Sequence, residues 1–450
     1  PLQKCLGAHL FVYYNRFMRC ILVVLDGLGD KGIAAIGKHT PLQAARTPNL
    51  DYIAKTGSCG LYHSCLQGQA MPSEMAHFIM FGYDLADFPG RGYIEAKAEG
   101  FPVQDNEVAL LSRTFSVAKT NNFYILKVEK MDLAPDLLKP LHEAIRFYRK
   151  DNIEIEFIPT KGIAGLSIMR GLGLSSEVTD SNPIYEERPI MKVLPRKDAC
   201  DFKKAQYTAA ILNEYVKWSY LVLSSHPINI KRVNNNEPPV NFIGLQRAGQ
   251  YRPLLPFHEK WGLKALCIAS GAIYHGLCSI LGMDIQRVKD SIFPGKDLEE
   301  RLRMAYYATD YDFIYVHTKA TDEAAHERNY QKKIDVIEQL DKAFEFARKH
   351  IIPDNDVLFI VTSDHSTASV GNMIHSGETV PILMSGCYAR KDDVRKFDEI
   401  SCAQGCLGLL RGHELMYMIL NLLDRGKLAG LMDSPIDQPY YPGHYIPLKE

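Results

Sequence analysis

The chain has 450 residues, 46% apolar and 23% charged, which is the balance of a folded globular protein and excludes disorder as its main state. A formal net charge of -1 argues against a polybasic surface for nucleic acid or anionic lipid. No run of 18 apolar residues occurs, so a membrane-spanning helix is not expected, and the length allows roughly two to four domains.

The first element is an apolar stretch, Leu10-Phe-Val-Tyr-Tyr14, broken by Asn15 and Arg16. No small-residue cleavage site follows, so residues 1–17 read as an N-terminal extension and not as a signal peptide, with Met18 a natural start. Ile21–Leu25 is a continuous apolar run with β-branched residues and predicts a buried parallel strand that ends at Asp26-Gly-Leu-Gly29. Thr47-Pro48 predicts a helix start, with Thr47 as cap and Gly57 beyond the end. Pro72 then precedes a helix over Glu74–Phe81, with Ser73 as its cap. The middle of the chain alternates differently. It predicts strands at Val108–Val117, Asn122–Val128 and Ile153–Pro159, a helix at Ala134–Arg149 and a loop at Asn229–Pro239. Two further buried strands, Asp312–Val316 and Val357–Thr362, flank a helix over Asn329–Lys349 whose Ile334, Ile337, Leu340 and Phe344 recur at helical spacing.

Strand and helix alternation of this kind predicts an α/β fold, a doubly wound and mostly parallel sheet. The change of texture predicts an interrupted core at 18–104 and 256–450, with a smaller α/β domain inserted at 105–255. The 10 cysteines include no Cys-x-x-Cys pair, so they read as free thiols, several of them buried, in a reducing cytoplasm.

In open parallel sheets, ligands bind beyond the carboxyl ends of the strands. Asp26, Asp322 and the pair Asp364-His365 all follow predicted strands. Asp322 and His326 are four residues apart, so one helical turn puts both on one face. His375 follows His365 by ten residues. Three carboxylates and three imidazoles suit Mn²⁺ or Zn²⁺ better than Ca²⁺. Ser73, at a helix start, has the geometry to receive a phosphate and to act as an alkoxide beside a metal. Each residue alone also reads as an ordinary turn or cap. Their common placement at strand ends favours a metal centre.

With these motifs in view, the chain resembles the cofactor-independent phosphoglycerate mutases of the alkaline phosphatase superfamily, in their archaeal-type branch. The resemblance rests on Asp26-Gly, Thr40-Pro-Leu-Gln-Ala-Ala-Arg-Thr-Pro-Asn49, Pro72-Ser-Glu-Met-Ala-His77 and Gly90-Arg-Gly92. It continues through Leu174-Ser-Ser-Glu-Val-Thr-Asp180, Lys319-Ala-Thr-Asp322-Glu-Ala-Ala-His326, Ser363-Asp-His365, His375-Ser-Gly377 and Phe397-Asp-Glu-Ile-Ser-Cys-Ala403. It implies an alkaline-phosphatase-like fold and two divalent ions, Mn²⁺ foremost, with Zn²⁺, Co²⁺ or Mg²⁺ as alternatives. One ion would be held by Asp26, Ser73, Asp364 and His365, the other by Asp322, His326 and His375. It implies a catalytic Ser73 that takes phosphate from phosphoglycerate and returns it to the other hydroxyl without a bisphosphoglycerate primer. Arg170, Asp180, His226, Arg247 and Lys264 lie in segments that resemble the family's substrate-contacting regions. Glu74 and Glu378 depart from the Asp that relatives often carry. The resemblance implies a cytoplasmic enzyme of glycolysis and gluconeogenesis with a small-molecule substrate, and leaves the oligomeric state open. A phosphomonoesterase or a homoserine-kinase-like phosphotransferase on the same scaffold is the alternative. A sulfatase is disfavoured, since no Cys/Ser-x-Pro-x-Arg pattern surrounds Ser73.

Overall fold

The computed structural model describes residues 18–443 and 445–449; the expected extension at 1–17, with Cys5, lies outside the described residues. Contacts divide the chain into two compact units, one running to Phe88 and resuming at Leu254, the other spanning Pro89–Pro253. Among the described residues the strands are β1 (Arg19–Leu25), β2 (Ser58–His63), β3 (Val108–Lys119), β4 (Tyr124–Val128), β5 (Phe147–Lys150), β6 (Ile153–Pro159), β7 (Ala164–Arg170), β8 (Phe242–Gln250), β9 (Ala265–Ala269), β10 (Asp284–Arg287), β11 (Phe313–Thr318), β12 (Val357–Thr362), β13 (Val380–Ser385) and β14 (Gly408–Arg411).

The first unit is an α/β layer structure around an eight-stranded sheet in the order β10-β9-β11-β1-β12-β13-β2-β14. The run from β10 to β12 is parallel, β13 is antiparallel to both neighbours, and β14 is parallel to β2. Every residue of β1, β11 and β12 is buried, which explains their largely apolar sequences: both faces of the sheet are covered. On one face, Ile21, Val23, Phe359 and Val361 pack with Leu298 and Leu302 of the helix Pro294–Tyr307 and with Ile337, Leu340 and Phe344 of the helix Tyr330–Phe346. Each such side chain contributes about 1.5–3 kcal/mol when fully buried. The register places Leu25 opposite Thr318 and Val24 opposite Thr362, so three adjacent parallel strands end level with one another. That alignment brings residues distant in sequence to one sheet edge.

Asn329 caps the long helix, its side chain accepting from Gln331 N and Lys332 N, and a π-helical turn, Ala347–Ile351, closes it. The helix Pro48–Ala54 begins at proline as expected, but Thr47 makes no cap bond. Asp341 replaces it, accepting from the amides of Asn49 at 3.1 Å and Leu50 at 2.8 Å. A carboxylate from a packed neighbour thus supplies the acceptor that the local sequence led one to expect from threonine.

The second unit is a six-stranded sheet, β4-β3-β7-β6-β5 with β8 also on β3, and its pairs are antiparallel. The long β3 pairs with β8, where Phe115 lies opposite Phe242, and at its far end with β4, where Ser116 lies opposite Val128. Two expectations fail here. The helix predicted over Ala134–Arg149 stops at Ala144, and Phe147–Lys150 instead pairs with β6 through a tight turn in which Asp151 has φ 53°. The loop predicted over Asn229–Pro239 begins as a helix, Pro227–Asn234, with proline in its first turn and the His226 ring accepting from Ile228 N.

His142, on the helix Pro135–Ala144, is buried against Phe157, with its Nε2 3.2 Å from the Thr114 hydroxyl. Burial lowers its pKa to about 4 from the ordinary 6.5. Between those values the unfolded chain binds the proton and the folded one does not, so stability is lost as pH falls from 6.5 towards 4. The full effect is at most on the order of 3 kcal/mol. His142→Leu should therefore flatten the fall in urea midpoint between these two pH values, read by tryptophan fluorescence.

Candidate active site

Asp26 stands one residue past β1, Asp322 lies in the helix Ala320–His326 that follows β11, and Asp364 stands two residues past β12. All three are 0–1% exposed. Gly27 makes the close approach possible. It has φ +63°, and a Cβ there would sit 2.5 Å from Thr367 Oγ1 and 2.9 Å from Asp322 Oδ1.

Ser73 is the first residue of the helix Ser73–Met80 and not its cap; Pro72 precedes it and the serine makes no cap bond. Its hydroxyl instead lies 3.0 Å from His365 Nε2. The same nitrogen is 3.1 Å from Asp364 Oδ2 and 3.4 Å from Asp26 Oδ1. Asp26, Ser73, Asp364 and His365 therefore converge on one point. Asp322 Oδ1 lies 3.2 Å from His326 Nε2 and 3.7 Å from His375 Nε2. Donor atoms of Asp322, His326 and His375 fall within 4.8 Å of one another, as do those of Asp26, Asp322 and His365.

The residues present fit metal ions. Asp26 Oδ1 and Asp364 Oδ2 are buried and have no hydrogen-bond partner. His365 Nδ1 lies 3.1 Å from Thr367 Oγ1, which itself donates to Asp322 Oδ1 at 2.7 Å. The imidazole must then donate from Nδ1, which leaves a lone pair on Nε2. His375 does the same, donating from Nδ1 to the Met71 carbonyl at 2.7 Å. Both rings thus turn unprotonated nitrogens towards the carboxylates, the form that a metal requires.

The electrostatics agree. Burial, then the charge of Asp26, pushes Asp364 up to about 8. Burial also opposes ionisation of Asp26, but the hydrogen bond from His317 and the charge of Lys319 hold it well below the usual carboxylate range. Burial and the neighbouring Asp26 act against Asp322, yet His326, His365 and Lys319 lower it. Burial and the nearby His365 lower His375 to about 4.

Several contributors escaped the sequence reading. Tyr274 and His317 both donate to Asp26 Oδ2. Lys319 Nζ is 3.5 Å from Asp322 Oδ2. Lys333, fully buried, donates to the carbonyls of Gly29 and Thr367, each at 2.8 Å, and to Asp30 Oδ2 at 3.1 Å. It ties the loop after β1 to the loop after β12. A lysine within the apolar stripe of an amphipathic helix was the available signal for it. Tyr274 gave no local signal.

Of the residues expected to contact substrate, four lie in the second unit. Asp180 and Arg247 meet there, the Asp180 carboxylate accepting from Arg247 N at 2.7 Å. Burial raises the Asp180 pKa, against the pull of Arg247. Arg170 is held by Glu156 at 2.8 Å and Glu107 at 3.3 Å, and His226 caps its helix. Lys264 is not brought to the centre. It precedes β9, whose Ala265 pairs with Phe313 at the start of β11, and so it lies about 15–20 Å of strand away from the ligand end. Its ammonium sits over the Tyr311 ring.

A family model described as the metalloenzyme superfamily matches residues 18–422, a span that includes every residue converging on His365 and Asp322. A 2,3-bisphosphoglycerate-independent phosphoglycerate mutase of Methanocaldococcus jannaschii is 39% identical over 438 residues, 94% of this chain and 98% of the relative. Another, of Methanococcus maripaludis, is 33% identical over 418 residues, 92% of this chain and 100% of the relative. Among solved structures, a Pyrococcus horikoshii protein has 26% identity and a TM-score of 0.72, covering 92% of this chain and 99% of its own. The cofactor-independent phosphoglycerate mutase of Thermoplasma acidophilum has 28% identity and a TM-score of 0.62, covering 90% and 100%. Within the metalloenzymes, this chain belongs to the archaeal-type 2,3-bisphosphoglycerate-independent phosphoglycerate mutase family.

Three outcomes are expected. Chelation should lower the thermal midpoint, and divalent metal at 100 times its Kd should restore about 2.7 kcal/mol. Asp322→Ala should blunt that response, since Asp322 belongs to both donor groups. Lys333→Met should cost about 3–5 kcal/mol in urea unfolding, because it strips a buried charge pair of one partner.

Proposed function

We propose that this enzyme interconverts 3-phosphoglycerate and 2-phosphoglycerate through a phosphoserine at Ser73, without a bisphosphoglycerate primer. The observation that carries the reading is the convergence of Ser73 Oγ with Asp26, Asp364 and His365. A structural serine at a helix start would bond its own helix, and this one does not. Family membership supports the substrate class and the isomerase activity.

Asp26, Ser73, Asp364 and His365 would hold one divalent ion and Asp322, His326 and His375 the other. Mn²⁺ is the first choice for this oxygen and nitrogen donor set. Bound there, the ions would supply positive charge that lowers the serine pKa and offsets the phosphate. The remaining work belongs to the chain. The Ser73 carbonyl accepts from His77 Nδ1 at 2.8 Å, which fixes the nucleophile's backbone, and the positive end of the Ser73–Met80 helix favours the phosphate. The Ser73 hydroxyl gives up its proton and Oγ bonds to phosphorus as the bond from phosphorus to O3 of the substrate breaks, the proton lost from Oγ being balanced by the one that O3 takes up. The glycerate then turns, its O2 hydroxyl attacks the phosphoserine and loses its proton, and Ser73 Oγ leaves and takes a proton back.

A mutase must keep the glycerate within roughly 3–3.5 Å of the phosphoserine and deny water that position. The second unit is the proposed substrate domain. Arg247 and Arg170 would bind carboxylate or phosphate bidentately, with Asp180 and His226 as further contacts. A reducing cytoplasm suits the free thiols, of which Cys20, Cys59, Cys267, Cys278 and Cys402 are buried. No helix of the described residues is long and apolar enough to cross a membrane.

Phosphorus NMR of the products gives the test. The expected outcome is primer-independent conversion of 3-phosphoglycerate to 2-phosphoglycerate, with inorganic phosphate a minor product. Ser73→Ala should abolish both, and Arg247→Ala should raise the share of free phosphate. Stoichiometric phosphate release by the unmodified enzyme, with no 2-phosphoglycerate, would overturn the reading in favour of a phosphatase.

A further inference from the structure

The two oxygens of the Asp26 carboxylate are treated differently. Oδ2 accepts from the Tyr274 hydroxyl and from His317 Nε2, the latter at 3.0 Å. Oδ1, equally buried, accepts nothing and lies 3.4 Å from His365 Nε2. The donors come from separate elements. Tyr274 is on the helix Ala272–Ile280, which follows β9, and His317 is the penultimate residue of β11. Both are 0–2% exposed, and their rings lie 3.7 Å apart, centroid to centroid.

The protonation pattern follows from the partners. A carboxylate oxygen can only accept, so His317 donates from Nε2. Its Nδ1 then carries a lone pair, and that atom is buried without a partner. An imidazole with one nitrogen unpaired is held here for its donor. Arg301 fixes the backbone beneath it, donating to the His317 carbonyl at 2.7 Å. The Asp26 main chain is fastened separately, its carbonyl accepting from the Thr321 hydroxyl at 2.5 Å. Backbone and side chain of Asp26 are thus each anchored, from β11, from the helix Ala320–His326 that follows it and from the helix Ala272–Ile280, and only Oδ1 is left over.

We propose that Tyr274 and His317 are positioning residues that saturate Asp26 Oδ2 and so make Asp26 a one-oxygen metal ligand through Oδ1. This rests on the metal reading given above. Two donors on one oxygen oppose rotation of the carboxylate about its terminal bond. They also oppose a chelating mode in which both oxygens face the same ion. The arrangement suits a compact ion with imidazole partners, and it disfavours a large ion that takes carboxylates through both oxygens. Removing one donor frees the carboxylate to turn without emptying the site.

The test is calorimetric titration of the full chain, stripped with chelator, with manganese chloride. The unmodified protein should bind two ions in resolvable steps; binding of none would overturn the metal reading itself, and this proposal with it. Tyr274→Phe removes one oxygen and keeps the ring. It should weaken one step by roughly 10–100-fold and leave the other little changed. His317→Leu, which removes the other donor, should weaken the same step. Thermal midpoints of the metal-free variants separate positioning from packing, since a positioning role leaves them close to the unmodified protein. If the unmodified protein binds two ions and both variants titrate as it does, the proposal fails while the metal reading stands. The proposal also fails if both steps weaken together with a lowered metal-free midpoint, because that is general loosening of the core.

Discussion

Three carboxylates held out of water within a few ångströms of one another are the constraint around which the first unit is organised. Like charges at that spacing repel strongly in a low-dielectric interior, and each also loses its hydration. Burial and the Asp26 charge push Asp364 up to about 8, in the direction that eases the repulsion of like charges. Divalent metal relieves that repulsion, so the same arrangement that is costly for the metal-free fold becomes a source of affinity. The surrounding residues show how the chain tolerates it meanwhile. Lys319 stands beside Asp322, and the buried Lys333 pairs with Asp30 one layer away.

The cluster exists because β11, β1 and β12 are adjacent, parallel and level at their carboxyl ends. Side chains just past those ends cannot avoid one another. Gly27 permits the approach, Lys333 joins two of the three loops, and Thr367 links Asp322 to His365. These are rigid contacts made by buried backbone and short side chains, which is what a centre for phosphoryl transfer needs, since its catalysis comes from positioning and charge. The chain places Ser73, the proposed nucleophile, by the same means. Ser73 is free of capping duty because Pro72 precedes it, and His77, one turn on, holds its carbonyl.

The second unit follows different rules. Its sheet is antiparallel, and in β6 the buried Ile153, Ile155 and Phe157 alternate with half-buried positions. Arginine–glutamate pairs recur in it, and Arg170 pairs with Glu107 and Glu156. Arg247 differs. Its backbone has φ 50° and is pinned by Asp180, an arrangement that fixes the start of a long cationic side chain. Among the basic residues expected to meet substrate, it is the one whose main chain is held by another residue of that set.

Local sequence determined the strands and their ends. Buried β-branched runs announce parallel strands, so β1 and β12 and the positions of Asp26, Asp364 and His365 beyond them were legible, as was the one-turn spacing of Asp322 and His326. The fold class and the family were legible for the same reason, because ordered motifs recur along the chain. Where a neighbour in space decides, local reading failed. Thr47 lost its capping role to Asp341, and Phe147–Lys150 became a strand because β6 was there to pair with it. Lys264, close in sequence to a strand, lies at that strand's wrong end. Only the tertiary structure brought Tyr274 and His317 onto one oxygen of Asp26, from positions 248 and 291 residues away in the chain. A hydrogen bond depends on distance and direction in space, and sequence spacing carries that information only within a single helix turn or strand pair.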